Sequence, residues 1–499
     1  MSENKRHYFF KLLTNIVKIP IYFLLESYFP RLLGPKLYGD YNFLNDSMNK
    51  IIGFFDSGSS IGFYTKYSSN VKDLKLLKSY WVIVFIFSLI FILSITIIRL
   101  FNLNSYIWPE QKLFYIYLAT IYSLLTFYST ICSKILDATR LTILSEKMRM
   151  IQMIISVFVF ILIFFLLNSL NLEFFYLIQI ILTFILIFGT TIIMNRSNLS
   201  LVPKIHLNYD EQKKYIKYFY QYSKPFFIYS LFTTLFGLFE RWLLQYFSGS
   251  IEQAYIGLAL KIGSFIFIFS SAMIPILMRE FAKSFSENNE ERINHLFSKN
   301  YKILFLLSTL ISCIIFFNAN TVVMFLGGKQ FINAVDVVKI LSIYPIYQTI
   351  GQINSSVYYT TNRVKIYTKI CIFLLPISIF LNYLLIAPKI KYGLELGAIG
   401  LAIQMVFSQI LIQNFLLFFN SKYLKVSYFK LLSIQILLLF SIFCTGLTID
   451  NLLKDIFLNK LFELFIFSGS LFSCCLIFIY FFPKLIGFQN LKIIFKIFK

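Results

Sequence analysis

SYWVIVFIFSLIFILSITIIRLF, residues 79–101, is an almost wholly apolar run of 23 residues, and it sets the fold class. A helix of this length crosses the roughly 30 Å hydrocarbon core of a bilayer. Similar runs recur along the whole chain, of whose 499 residues 58% are hydrophobic and 14% are charged. Soluble domains average about 45–50% apolar and about 25% charged residues. The sequence therefore predicts an all-α polytopic membrane protein.

We predict about fourteen transmembrane helices from the apolar runs. Their spans are 8–30, 39–64, 79–101, 113–133, 150–168, 174–194, 225–247, 254–278, 303–325, 335–359, 370–387, 397–419, 429–449 and 461–482. Cytoplasmic loops of membrane proteins hold an excess of Lys and Arg. With the N-terminus inside, 32 of the 46 Lys and Arg residues fall in predicted cytoplasmic segments, ten fall outside and four lie within spans. Both termini are therefore predicted to be cytoplasmic.

The net charge of +23 is spread over many short loops and is not concentrated in one domain. Such loops face anionic lipids at the cytoplasmic surface, so the charge does not predict nucleic-acid binding. The basic tail, 484–499, is predicted to lie on that surface as an amphipathic segment.

Four basic residues lie at least six residues from either end of a predicted span: Lys18, Lys50, Arg241 and Lys261. A base at the centre of a spanning helix costs roughly 2.5–3.5 kcal/mol on insertion scales, so it normally faces a water-filled cavity or a partner charge. The four residues therefore predict a cationic cavity that binds an anionic substrate.

Polar residues of the second span recur every three or four positions and so share one helix face. They are Asn42, Asp46, Asn49, Gly53 and Asp56. Glu26 lies on a similar face of the first span. These side chains either line a cavity, with the acids serving as charge partners or H⁺ or Na⁺ coupling groups, or form salt bridges between helices, such as Lys18 with Asp46 or Asp56.

An internal repeat relates the first two spans to the seventh and eighth. At an offset of 214 positions Glu26 aligns with Glu240 and Tyr41 with Tyr255, while Leu33-Gly34-Pro35 falls opposite Phe247-Ser248-Gly249. Such a duplication is typical of several transporter folds. It predicts two six-helix lobes around a central cavity, 1–195 and 225–420, joined by a cytoplasmic linker, 196–224. Residues 421–499 then hold two peripheral helices and the basic tail.

The tenth span presents Gln348, Gln352, Ser355 and Tyr359 on one face. With Asn42 and Asn49, the two glutamines are candidate contacts for sugar hydroxyls. The alternative is that they hydrogen-bond between helices.

Three parts of the sequence resemble the polysaccharide-exporter branch of the superfamily that includes multidrug and toxic compound extruders and lipid II flippases. They are RLLGPKLYGDY (31–41) with DSG (56–58), FER (239–241) with AYI (254–256), and LGGKQF (326–331) with LNYLLIAP (381–388) and GAIGLA (397–402). The chain departs from the family pattern at Glu240, where Asp is usual, and after Pro388, where Lys389 follows in place of a short glycine turn.

The resemblance implies a Wzx-type flippase for O-antigen or a similar surface polysaccharide in the bacterial inner membrane. It implies that undecaprenyl-pyrophosphate-linked oligosaccharide is carried to the periplasmic leaflet by alternating access, with Lys18, Lys50, Arg241 and Lys261 lining the cavity. Partners would include a polymerase and other lipopolysaccharide biosynthesis proteins. The alternatives are a drug extruder of the same superfamily and an O-antigen polymerase. With no nucleotide loop, metal-ligand cluster or nucleophile-base set in the sequence, we predict a protein that is not an enzyme and has no cofactor.

Overall fold

The computed structural model of the chain describes residues 3–69, 73–167, 169–197, 205–453 and 459–483, with 199, 201, 203 and 456. Side chains are described from residue 17 onward, apart from 19, 69, 225, 226, 229, 268, 269, 271 and 272. The predicted basic tail lies outside the described residues. Within them the chain forms α-helices and two short 3-10 turns and contains no strand. The chain is therefore an all-α polytopic membrane protein, as the sequence predicts.

The first of two compact units is Met1–Ala254. Its helices are α1 (Glu3–Asp56), α2 (Ser59–Ser69), α3 (Leu74–Leu100), α4 (Asn104–Ile107), α5 (Leu113–Ala138), α6 (Thr142–Leu166), α7 (Leu172–Arg196) and most of α8 (Tyr209–Ser264). α5 packs on α7, and α1 packs on α5 and α6. Aromatic rings fill the interior, where Phe63 stacks on Tyr80 and Phe29 meets Phe160 edge to face. These contacts bury the inward-facing apolar sides of the helices. Their outward-facing sides are suited to contact with lipid.

The second unit is Tyr255–Lys499, so the boundary falls within α8. Its further helices are α9 (Phe267–Ser286), α10 (Glu290–Phe317), α11 (Ala319–Leu326), α12 (Val335–Leu341), α13 (Tyr344–Thr360), α14 (Val364–Ile386), α15 (Gly397–Leu424), α16 (Tyr428–Leu453) and α17 (Lys460–Phe481). α15 packs on α12, α13 and α14, and α13 also packs on α9 and α10. α16 and α17 cover α10. The predicted lobe and linker boundaries, at 195, 224 and 420, stay predictions.

Two long helices, α1 and α8, are each broken at one glycine. Gly34 has φ 69° and ψ 170°, and Gly249 has φ 80° and ψ −175°, a backbone region that only glycine adopts readily. Each broken helix is followed by a similar order of elements, α2 to α7 after the first and α9 to α15 after the second. The structural correspondence pairs Gly34 with Gly249, one residue further along than the sequence offset predicts.

Nine of the described helices are long and apolar enough to cross a membrane by composition: α3, α5, α6, α7, α10, α14, α15, α16 and α17. The other five predicted spans fall on helices that carry charge or are interrupted. The second span is not one helix, because Ser57 and Gly58 adopt φ of 37° and 83° between α1 and α2. The eighth span divides between α8 and α9. The tenth divides between α12 and α13, where Pro345 occupies the first turn of α13 and cannot extend α12.

Candidate functional site

Two of the predicted intramembrane bases, Lys50 on α1 and Arg241 on α8, share a cluster with two carboxylates. Lys50 Nζ donates to Asp46 Oδ2 at 2.7 Å, and Arg241 Nε lies 3.4 Å from the same oxygen. Glu240 Oε1 lies 3.9 Å from Lys50 Nζ, which also donates to the Gly237 carbonyl at 2.7 Å. Two positive and two negative charges thus balance within the cluster, as a low-dielectric environment requires.

The cluster has a buried side and an accessible side. The side chains of Arg241 and Glu240 are 7% and 13% exposed, whereas those of Lys50 and Asp46 are 26% and 33% exposed. Arg241 is held further by Gln253, whose Oε1 accepts from Arg241 Nη1 at 3.1 Å and whose amide donates to the Arg241 carbonyl. Lys50 is therefore the more accessible base of the cluster, and Arg241 contacts Asp46 from the buried side.

Lys18 has a partner that the sequence does not suggest. Its ammonium donates to the carboxylate of Glu146 on α6, and the two side chains are 16% and 6% exposed. The alternative in which Lys18 pairs with Asp46 or Asp56 is not what the structure shows. The physical reason is the packing of α1 along α6, which brings Glu146 to Lys18 across 128 positions of sequence.

The remaining predicted charges lie elsewhere in the fold. Asp56 accepts from the Ser59 hydroxyl and from the Ser60 backbone N–H, both at 2.8 Å, and so caps the first turn of α2. Glu26 is buried in α1. Lys261 is half-buried near the C-terminal end of α8, in the second unit. Of the eight predicted charged residues, the structure therefore places Asp46, Lys50, Glu240 and Arg241 in one cluster.

The predicted polar stripe of the second span forms an accessible face of α1. Asn49 and Gly53 are exposed, and Asn42 is half-buried. Asn42 donates to the Tyr38 carbonyl at 2.7 Å, and Asn49 donates to Asn45 Oδ1 at 3.3 Å, so both amides bond within their own helix. Their oxygens lie on the same helix face as the accessible edge of the charge cluster.

The other two candidate sugar contacts, Gln348 and Gln352, are half-buried on one side of α13. Gln409 on α15 donates its amide to Gln348 Oε1. Sequence reasoning missed Gln409, because the apolar run that contains it gives no sign of which face meets α13.

Sequence reasoning also missed a buried carboxylate, that of Asp40 on α1. Asp40 Oδ1 accepts from the Gln111 amide at 2.6 Å and from the Ser250 hydroxyl, which in turn accepts from the Gln245 amide at 2.9 Å. A Cβ on Gly39 would overlap the Ser250 carbonyl, so the backbones of α1 and α8 touch there. The signal in the sequence is the Gly39-Asp40 pair at the start of the second span.

A further set of contacts joins the start of α3 and its N-cap residue to the start of α8, in regions predicted to be cytoplasmic. Tyr215 donates to both oxygens of Asp73, at 2.9 and 3.0 Å, and Lys75 pairs with Glu211. The hydrogen bond from Lys75 lowers the pKa of Glu211. Burial raises the pKa of Tyr215 to about 12, and the hydrogen bond to Asp73 is the second largest cause of this increase.

No protein-family model matches the sequence, and no curated protein matches it. Solved structures of transporters do match the fold. A structure of the lipid II flippase MurJ in an inward closed conformation gives a TM-score of 0.66 at 15% identity, over 96% of this chain and 99% of the flippase. An inward-facing multidrug-resistance MATE transporter of the MOP superfamily gives 0.63 at 12% identity, over 81% and 95% of the two chains.

A third structure is a MOP superfamily transporter from Pyrococcus furiosus, in which reversed polarity of the binding pocket suggests a different function. It gives a TM-score of 0.52 at 14% identity, over 85% of this chain and 96% of that one. At these identities the likeness establishes the fold. The chain has the fold of the MOP superfamily of membrane transporters.

Proposed function

We propose that the protein is a flippase that carries a lipid-linked oligosaccharide from the cytoplasmic to the periplasmic leaflet of the bacterial inner membrane by alternating access. The proposed substrate is an undecaprenyl-pyrophosphate-linked repeat unit of O-antigen or a similar surface glycan. One observation carries the proposal: Lys50, within the second predicted span, presents a partly exposed ammonium beside acids that a pyrophosphate can replace as its partner.

The charge cluster suits a transient anion because its charges can be repartnered. A pyrophosphate in low dielectric needs a positive partner, and its bonds to an ammonium are charge-assisted and strong. When Lys50 turns to the phosphate, Asp46 keeps Arg241 as its partner at 3.4 Å. Lys50 can therefore exchange partners without isolating Asp46, whereas Glu240 loses its ion pair with Lys50 until the substrate leaves.

The acids of the cluster are the proposed coupling groups. Uptake of H⁺ or Na⁺ at Asp46 or Glu240 neutralises a partner of Lys50 and so frees its ammonium for the pyrophosphate. Release of the ion restores the internal pairs and favours departure of the substrate. An imposed ion gradient would then drive the cycle in one direction.

The extent of the structural likeness also supports a flippase over an extruder. The MurJ structure covers 96% of this chain, whereas the MATE structure covers 81%. The chain has two helices beyond the repeated set, α16 and α17. A fold that a lipid flippase shares over nearly its full length favours a lipid-linked substrate.

The test is transport by the purified protein in liposomes. Undecaprenyl-pyrophosphate carrying a fluorescent sugar is placed in the membrane, and a quencher that cannot cross reports how much reaches the other leaflet. Bonds to charged groups are worth about 1.5–3 kcal/mol, so we expect Lys50→Ala to slow transport about ten- to a hundredfold. Lys50→Arg keeps the charge and should retain part of the rate. Lys389→Ala, an exposed lysine of the second unit, is the matched control and should transport normally.

One observation favours a second candidate, a drug or small-cation extruder: the Asp46 carboxylate is the most exposed group of the cluster. An extruder would move a cationic dye across the same liposomes and would lose that activity in Asp46→Asn. Dye transport without lipid transport would overturn the flippase proposal, as would normal lipid transport by Lys50→Ala.

A further inference from the structure

α13 presents an accessible face of polar and aromatic side chains. The helix contains no charged residue. Its buried side is mostly apolar and includes Ile346, Ile350, Ile353 and Val357. The partly or fully accessible side chains along its length are Tyr344, Gln348, Gln352, Ser355, Tyr359 and Thr360.

The composition of this face excludes hydrocarbon as its surroundings. Where a helix of this chain meets lipid, its exposed residues are apolar, as on α3 with Phe85, Leu89, Leu93 and Ile97. Amides and hydroxyls in hydrocarbon would lack hydrogen-bond partners and cost several kcal/mol each. The accessible face of α13 therefore borders water or a polar ligand.

α15 extends the face with a row of amides. Gln409 donates its amide to Gln348 and lies 3.3 Å from the Tyr344 hydroxyl, and Gln413 donates to Gln409 Oε1 at 3.0 Å. A Cβ on Gly351 would press on the Gln413 amide, so glycine is what lets this amide lie against α13. The row runs without interruption from one helix to the other.

Two acceptors of this region are unused in the described part of the chain. The side-chain oxygens of Gln352 and Gln413 are buried and lack a hydrogen-bond donor there. A buried amide oxygen without a donor costs about 1–3 kcal/mol, so rotation of the partly accessible Gln352 amide toward a hydroxyl donor on this face recovers that energy. The sole charged residue of α15 is Lys422, near its C-terminal end, so no charge competes for this ligand.

We propose that this face of α13 and α15 is the subsite for the neutral, hydroxyl-rich sugar part of the substrate. The inference rests on the proposed flippase function. Sugar hydroxyls both donate and accept, which matches a row of amides, and sugar rings pack against tyrosines such as Tyr344 and Tyr359. The amide face then distinguishes a glycan-bearing lipid from a bare one.

The test compares two lipids by native mass spectrometry of the purified full-length protein: undecaprenyl-pyrophosphate alone, and the same lipid carrying a neutral disaccharide. We expect wild type to bind the disaccharide lipid roughly tenfold more tightly, as one or two extra hydrogen bonds predict. Gln352→Leu removes an unused acceptor without breaking a bond described within the protein. It should abolish most of this preference and leave binding of the sugar-free lipid unchanged.

Gln409→Leu is the second variant and should also lose the preference. Gln152→Leu, the same change on α6, is the matched control and should keep it. Equal binding of both lipids by wild type would overturn the sugar subsite but leave the flippase proposal standing, and so would an unchanged preference in both α13–α15 variants. Binding of neither lipid by wild type would overturn the proposed function itself and the subsite with it.

Discussion

The two lysines of α1 that face inward differ in what holds them. Lys18 is paired with one carboxylate, that of Glu146, and both groups are largely buried. Lys50 is shared among Asp46, Glu240 and a backbone carbonyl and is more exposed. A single buried pair favours stability of one arrangement, whereas a shared and accessible ammonium can change partners. We therefore expect substitutions at the two lysines to have different consequences.

Removing one member of the buried pair should destabilise the protein. Glu146→Gln leaves the Lys18 ammonium without its counter-charge, which costs about 3–5 kcal/mol for a buried pair. The measurement is the thermal midpoint of the purified protein in detergent. The double variant Lys18→Met with Glu146→Leu removes both charges and should recover most of the loss. A single variant as stable as wild type would contradict the pairing.

Part of the charge chemistry is predictable from sequence at this scale. Lys18 is conspicuous because it interrupts an apolar stretch. Its partner Glu146 is not, because it lies in TILSEKMRM, 142–150, beside Lys147 and Arg149, and so reads as part of a cytoplasmic loop. The structure begins α6 at Thr142 and turns Glu146 inward. Packing of distant helices decides such pairs, and hydropathy carries no information about it.

At the scale of the helix, the break in α8 depends on a backbone that other residues resist. Gly249→Ala places a Cβ at φ 80° and ψ −175°, which costs about 1–3 kcal/mol. We expect a lower thermal midpoint. Gly469→Ala is the matched control, since an added Cβ there meets nothing within 4 Å and alanine favours a helix. If Gly249→Ala melted like wild type, the break would not require glycine.

The contacts between the start of α3 and the start of α8 should depend on pH in a defined direction. Because the pKa of Glu211 is lowered in the folded protein, its contribution to stability is present at neutral pH and is lost as pH falls below the ordinary value of about 4.3. Tyr215, with a pKa of about 12, keeps its proton and its bond to Asp73 throughout the neutral range.

The measurement is the difference in thermal midpoint between wild type and Glu211→Gln. We expect it to stay constant between pH 6 and 9 and to shrink as pH falls below about 4.3. A difference that grows on acidification would show that Glu211 gains its stabilising contact only when protonated.

Hydropathy locates helices better than it locates their ends. The run 79–101 falls within α3, whereas the second, eighth and tenth predicted spans each cover two helices. The ninth predicted span, 303–325, likewise covers α10 and α11. These breaks depend on a few local features, such as the positive φ of Gly58 and the position of Pro345, that barely change the mean hydropathy of a window. The pattern of apolar residues indicates the environment of a helix, whereas the local backbone conformation determines where the helix ends.

At the scale of the whole molecule, the repeat seen in the sequence agrees with the order of elements, whereas the pairing of distant residues is not predictable and the charge bias stays a prediction. The alignment of Glu26 with Glu240 rests on a handful of identities, but the order of elements after Gly34 and after Gly249 is alike. The predicted offset misses the glycine correspondence by one residue, because sequence identities alone are too few to fix the register of two diverged copies.

The predicted topology places both termini in the cytoplasm, and labelling tests it. In a background without the six native cysteines, Lys389→Cys lies in a predicted outside loop and Glu291→Cys in a predicted cytoplasmic one. Both positions are exposed. A maleimide that cannot cross the membrane should label only Lys389→Cys in spheroplasts and both variants after lysis. The opposite pattern would invert the topology.

The Asp40 contacts bear on how readily the protein can change state. Asp40, Gln111 and Ser250 lie in or beside segments predicted to face the periplasm, and each direct bond that the structure gives to the Asp40 carboxylate comes from a neutral donor. Hydrogen bonds that a charged group accepts contribute about 1.5–3 kcal/mol each, because water replaces them only in part when they separate. Separating α1 from α8 at this point would therefore leave no cation without its partner, and water would solvate the carboxylate that the neutral donors release.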